Sequence, residues 1–123
     1  MAKKRPYPTA RDAGTSFKLA LKVGSHIIKG DTVPEFLCRI LRFIDESNVL
    51  GNLSVPFYTS GQNFLLAVSP EHEDGRPFSA FRCFEAKDRT TIIYVNTNHP
   101  RFFALRHGAR LLDAVGFPTA YAT

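Results

Sequence analysis

The residues of this 123-residue chain best suited to chemistry gather near its end, in the run Tyr94-Val95-Asn96-Thr97-Asn98-His99-Pro100-Arg101. Amides and an imidazole just ahead of a helix start do one of two things. They cap the helix's free N–H groups, or they join those groups in holding a phosphate or carboxylate. Asn96, Asn98 and His99 therefore form a candidate helix N-terminal anion site, with Arg101 supplying charge. Ordinary capping by Asn98 or His99 is the competing expectation. Arg106 and Arg110 continue the basic character along the same helix.

Other chemistries find less material. Cys38, Cys83, Ser25 and Ser60 could each be set beside His26, His72, His99 or His107, but none stands in a nucleophile motif, so no catalytic residue is assigned. Cysteine on a helix flank or within a strand is ordinarily buried and structural. No Cys-x-x-Cys, His-x-x-x-His or EF-hand spacing occurs, so no metal site is expected. Glu71-His72-Glu73-Asp74, between Pro70 and Gly75, reads as a solvated acidic turn. With no glycine-rich phosphate loop either, no cofactor is expected. Arg76, Arg82 and Arg89 alternate with Phe78, Phe81 and Phe84, a composition that could stack bases. Strand alternation puts Phe78 and Phe84 on one side and Phe81 on the other, so core packing is the expectation for at least one of them.

Charge is unevenly placed. Lys3, Lys4, Arg5, Arg11, Lys18, Lys22 and Lys29 fall in the first thirty positions against Asp12 alone, while the whole chain carries only +5. Such asymmetry favours a polyanion, because each cation set against a phosphate releases a condensed counterion. The expected polyanion contacts are Lys3, Lys4, Arg5, Arg11, Lys18 and Lys22, with Arg101, Arg106 and Arg110 as a second group.

The elements that must carry these groups follow from periodicity. Residues 1–14, with Pro6, Pro8 and Gly14 and no hydrophobic period, read as a basic arm, and 15–123 as a single domain. Phe17 to Val23 alternate as a half-buried strand, which His26-Ile27-Ile28 extends or links onward. Thr32 and Glu35 make a capping box for a helix running to about Asn48, with Val33, Phe36, Leu37, Ile40, Leu41 and Ile44 inward. Strand-like runs follow at about 52–58, 63–69, 78–85 and 90–96, joined as an antiparallel meander with Pro56 on an edge strand. A last helix begins near Pro100, carries Leu105, Ala109, Leu112 and Val115 inward and Arg106, Arg110 and Asp113 outward, and ends in a Schellman turn at Gly116. The fold class is α+β, a single β-α-β-β-β-β-α domain with a mainly antiparallel sheet packed against two helices.

Asn98-His99-Pro100-Arg101-Phe102, with Gly108-Ala109-Arg110-Leu111-Leu112 and Gly116-Phe117, resembles the end of PUB domains, which bind peptide tails. Four strands ahead of it do not fit that mainly helical fold. The helix, sheet, helix order from Thr32 is similar to double-stranded-RNA-binding domains, without their lysine-rich final helix start. No family is assigned on either.

No apolar run reaches the roughly 18 residues of a membrane span, and the basic N-terminus is not followed by a signal peptide's apolar core. A cytoplasmic location with free thiols is the expectation. The leading functional expectation is a small non-enzymatic module contacting nucleic acid or a nucleoprotein through its basic N-terminal region. A protein-binding inhibitor or adaptor, of the kind mobile elements encode, is the alternative, with homodimerisation through an edge strand. An enzyme with a dispersed Cys/His site is the third.

Overall fold

Residues 19–121 are described by the computed structural model. The arm and the cations Lys3, Lys4, Arg5, Arg11 and Lys18 lie outside them. Alternation near the N-terminus yields strand β1, Leu19–Val23, which buries Leu19, Leu21 and Val23 and exposes Lys22. His26–Gly30 is a strand in its own right, β2, returning antiparallel to β1 after a two-residue turn. A short C-terminal strand, β7 (Ala120–Tyr121), pairs with the other side of β1, giving the order β2-β1-β7.

Helix α1, Val33–Glu46, starts as the sequence dictates: Thr32 Oγ1 accepts the Glu35 N–H at 3.3 Å, and Pro34 sits in the first turn, where no backbone donor is needed. The Glu35 carboxylate reaches back one residue further than the usual capping box, accepting the Asp31 N–H at 3.2 Å. Its inward stripe is Val33, Phe36, Leu37, Ile40, Leu41 and Ile44. One carboxylate breaks that apolar face. Asp45 is buried, accepts the Lys87 N–H at 2.8 Å and lies 3.5 Å from an Arg42 guanidinium nitrogen, tying α1 to the turn after the third strand of the second sheet. A hydrogen bond to a charged group contributes about 1.5–3 kcal/mol. Asp45→Ala should therefore lower the urea midpoint clearly, whereas Glu46→Ala next to it, exposed, should stay within about 0.5 kcal/mol of wild type.

A second sheet comprises β3 (Phe57–Ser60), β4 (Asn63–Ala67), β5 (Phe81–Glu85) and β6 (Ile92–Asn96), antiparallel in the order β3-β4-β6-β5. This is not a simple meander. The chain leaves β4 on a long excursion over residues 68–80, so β5 joins at the far edge and β6 fills the centre. Pro56 stands just ahead of edge strand β3, so its missing N–H costs no ladder bond. Of the first expected run, about 52–58, Asn52 ends a 3₁₀ turn that spans Leu50–Asn52 and only Phe57 onward is strand.

Helix α2, Arg101–Ala114, closes with the expected Schellman pair: Phe117 N–H donates to Leu112 C=O at 2.9 Å and Gly116 N–H to Asp113 C=O at 3.0 Å, with Gly116 at φ 92°. Its start corrects the capping expectation. Pro100 is the N-cap, and among the described residues no side chain, neither Asn98 nor His99, caps the helix. Leu105, Ala109 and Leu112 of α2, Phe36, Ile40 and Ile44 of α1, Leu19 and Leu21 of β1, and Leu66, Phe84, Ile93 and Val95 of the second sheet share one core. Helix α1 contacts both sheets as well as α2. Both cysteines are unpaired thiols; Cys38 is half-buried, but Cys83, expected inside, is exposed because it points to the sheet face opposite the buried Phe84. No helix among the described residues is long and apolar enough to cross a membrane.

Candidate anion cleft

The bend from β6 into α2 is held by side chains rather than by a helix cap. Asn96, buried, donates Nδ2 to Phe64 C=O at 3.1 Å and accepts the Asn98 N–H on Oδ1 at 3.1 Å. Thr97 N–H donates to Ala80 C=O at 3.1 Å. These bonds fix the β6–α2 bend against β4 and the excursion. His99 is thereby set beside α2, its ring edge-on to His107 with centroids 4.8 Å apart.

The excursion supplies a second imidazole. The chain turns tightly at 72–75, where Gly75 N–H donates to His72 C=O at 2.9 Å, and the ring of His72 packs against Phe78 at 4.8 Å. His72 Nδ1 accepts the Phe64 N–H at 3.0 Å, which leaves Nε2 as a hydrogen-bond donor. What reads in sequence as a solvated acidic turn thus delivers a histidine inward. Its carboxylates turn away: Glu73 accepts from Tyr58 Oη at 2.6 Å, and Asp74 pairs with Arg76 at 2.6 Å.

Between these segments and α2 lies a cleft of about 610 Å³, walled by His72, His99 and His107, by Arg76, Arg106 and Arg110, and by Asn63, Asn96 and Asn98. Thr59, Ser60, Ser79 and Phe103 also line it, and among the described residues no carboxylate does. Arg76 is neutralised by Asp74 and donates to Asn63 Oδ1 at 2.6 Å. Arg110 spans the wall, donating to Tyr58 C=O at 2.9 Å, lying over the Phe57 ring and meeting His107 Nδ1 at 3.2 Å. Arg106 lies over Phe103, 5.8 Å from the ring centroid. Among the described residues, neither Arg106 nor Arg110 forms an ion pair with a carboxylate.

Two of the imidazoles, those of His99 and His107, are kept neutral. Burial pulls the pKa of His99 below its usual value, and Asn96's backbone carbonyl, by accepting from the ring, opposes that pull only in part. Since Nε2 of His99 is buried without a partner, the bonded nitrogen is Nδ1. His107 is lowered further, from 6.5 to about 3, by burial first and then by His99, Arg110 and Arg106. Unfolded His107 takes up a proton near pH 6.5 that the folded protein refuses until about pH 3. Stability therefore falls as pH drops through that window. Urea melts at about pH 7.5 and about pH 5 should show wild type losing more stability on acidification than His107→Gln; equal losses would place the acid sensitivity elsewhere.

The structure brings together five sequence candidates, Asn96, Asn98, His99, Arg106 and Arg110. Arg110, expected to look outward, is half-buried in the cleft wall because β3 lies against that face of α2. Arg101 does not join them: five residues is about 140° of helix rotation from Arg106, and its Nη1 donates to Asp31 C=O at 3.0 Å. Lys22 is exposed on β1 and is not part of the lining. Of the arginine–phenylalanine run, Arg76 reaches the cleft while Arg82 and Arg89 do not; Phe78 and Phe84 are core, and Phe81 is 46% exposed. His72, His107, Asn63 and Phe103 are contributions to an anion site that sequence reasoning missed. No three His, Cys, Asp or Glu among the described residues are grouped to hold a metal ion. No protein-family model, curated protein or solved structure matches the chain.

Proposed function

We propose that this chain is a nucleic-acid-binding module that seats a backbone phosphate in the cleft beside α2, with the basic N-terminal residues adding longer-range attraction. The observation that carries the reading is the state of the cleft's cations. Arg106 and Arg110 face the cleft without a carboxylate partner among the described residues, beside the neutral imidazoles of His99 and His107 and a lining rich in amides and hydroxyls. A phosphate diester supplies the missing negative charge and accepts several of these donors at once. The whole-chain charge of +5 favours the same class of partner.

Fluorescence anisotropy with a labelled oligonucleotide between about 50 and about 200 mM salt tests this reading. Affinity should fall log-linearly with salt. Replacing Lys3, Lys4 and Arg5 by alanine in the full chain should flatten that slope, by roughly 0.7 to 0.9 for each phosphate no longer neutralised, and leave binding in place. Binding that ignores salt, or its absence at low salt, sinks the proposal.

A second reading, an enzyme acting on the bound phosphate ester, is favoured by one observation: the His99 imidazole lines the cleft and its buried Nε2 keeps an unpaired lone pair. Gel analysis of the probe after long incubation separates the two. An intact probe leaves binding alone, whereas cleavage abolished by His99→Gln assigns the chemistry to the cleft.

A further inference from the structure

We propose that the cleft receives one unstacked base of a single strand, laid against Phe103 and His107, while the flanking phosphate meets Arg106 and Arg110. This rests on the phosphate reading above and adds what the cleft does with the base. Phe103 is 38% exposed although its neighbours in the helix, Ala104 and Leu105, are buried, so part of a large ring stays open in the cleft wall. Its ring and that of His107 are near-parallel, 20° apart in plane, with centroids 6.4 Å apart. The two rings thus offer near-parallel apolar faces side by side on α2, against which a planar group can be laid.

The other walls suit a base edge. Asn98 is exposed at the rim, and Asn63 retains its amide N–H groups after accepting Arg76 on Oδ1. Amides of this kind pair with the donor and acceptor edges of an unpaired base. The volume of about 610 Å³ falls in the range of small-ligand pockets, roughly 300–1,000 Å³, and accommodates a nucleotide unit rather than a helix. A duplex keeps its bases stacked inside and offers this cleft only backbone, whereas a single strand supplies both parts. Arg106, already over the Phe103 ring, is placed to stack on the entering base and to neutralise its phosphate.

The sequence contains no tryptophan, which makes the test direct. Full-length Phe103→Trp carries a single indole at the cleft, whose emission a stacked base quenches. A single-stranded oligonucleotide should quench it to saturation, while an abasic strand of equal length and a duplex should bind without comparable quenching. In parallel, Phe103→Ala should weaken single-strand binding by about tenfold and leave affinity for the abasic strand unchanged, with a thermal melt confirming the fold. Saturated single-strand binding without quenching, equal quenching by duplex or abasic strand, or equal loss on the abasic strand overturns base insertion and leaves phosphate binding standing. If no strand of any kind binds, both readings fall together.

Discussion

Replacing Arg106 and Arg110 together by alanine should lower affinity for a single-stranded oligonucleotide by about a hundredfold at low salt, since each charge-assisted hydrogen bond contributes about 1.5–3 kcal/mol. The two single variants should differ in how they act. Arg106 meets its own fold through the Phe103 ring, so Arg106→Ala should weaken binding about tenfold with stability held within about 0.5 kcal/mol. Arg110 also ties α2 to β3 through Tyr58 C=O, so Arg110→Ala should cost both affinity and stability. Arg110→Lys keeps the charge but cannot reproduce the fork that reaches Tyr58 and His107 together, and should recover only part of each. Anisotropy and urea melts on the same preparations separate the two effects. Unchanged affinity in the double variant would remove the cleft from the binding site.

The second large effect concerns the frame that holds α2 in place. A Cβ at Gly30 would stand 2.7 Å from the backbone nitrogen of Phe36 and 2.8 Å from its Cα, and backbone in the first turns of α1 cannot withdraw as a side-chain tip can. Gly30→Ala should therefore cost about 2–3 kcal/mol or more, the upper part of the range for overpacking. At Gly108 the added carbon meets Ile40 Cδ1 and the edge of the Phe36 ring. Those are side chains, yet both residues are fully buried, and the helix gains about 1 kcal/mol of propensity from the same substitution. Gly108→Ala should thus be destabilising by less than Gly30→Ala. An unshifted urea midpoint for Gly30→Ala would contradict the close packing of β2 on α1. Because Gly108 and His107 are adjacent on α2, the loss at Gly108 should also weaken oligonucleotide binding slightly, through displacement of the cleft wall.

How far the sequence reveals these features depends on the range of the contacts involved. Thr32 with Glu35, the inward stripe of α1 and the Gly116 ending are written in local spacing, and each forms as that spacing requires. Half of the cleft is equally local. Phe103, Arg106, His107 and Arg110 recur at three- and four-residue steps, a single face of α2, although sequence reasoning took Arg106, Arg110 and Asp113 as that face and turned it to solvent. What is not local is the opposite wall. His72, Arg76 and Ser79 reach it because residues 68–80 fold back over β4, held by bonds such as Phe64 N–H to His72 Nδ1, whose partners no periodicity links. That excursion also sends β5 to the sheet edge, which is why the strand order departs from a meander. The capping expectation at Asn98 and His99 failed for a related reason. Asn96 and Thr97 are claimed by Phe64 and Ala80, distant in sequence, and the link between β6 and α2 is set by them rather than by the helix.

Backbone and arginine side-chain amide NMR spectra of the full-length protein, recorded as a single-stranded oligonucleotide is added, test the central claim most directly. Signals from Thr59, Asn98, Phe103, Arg106 and Arg110 should shift together and saturate at one stoichiometry, with the Arg106 and Arg110 Nε–H groups moving most. Shifts confined to Lys22, Lys29 and the N-terminal residues, with the cleft signals unmoved, would contradict it.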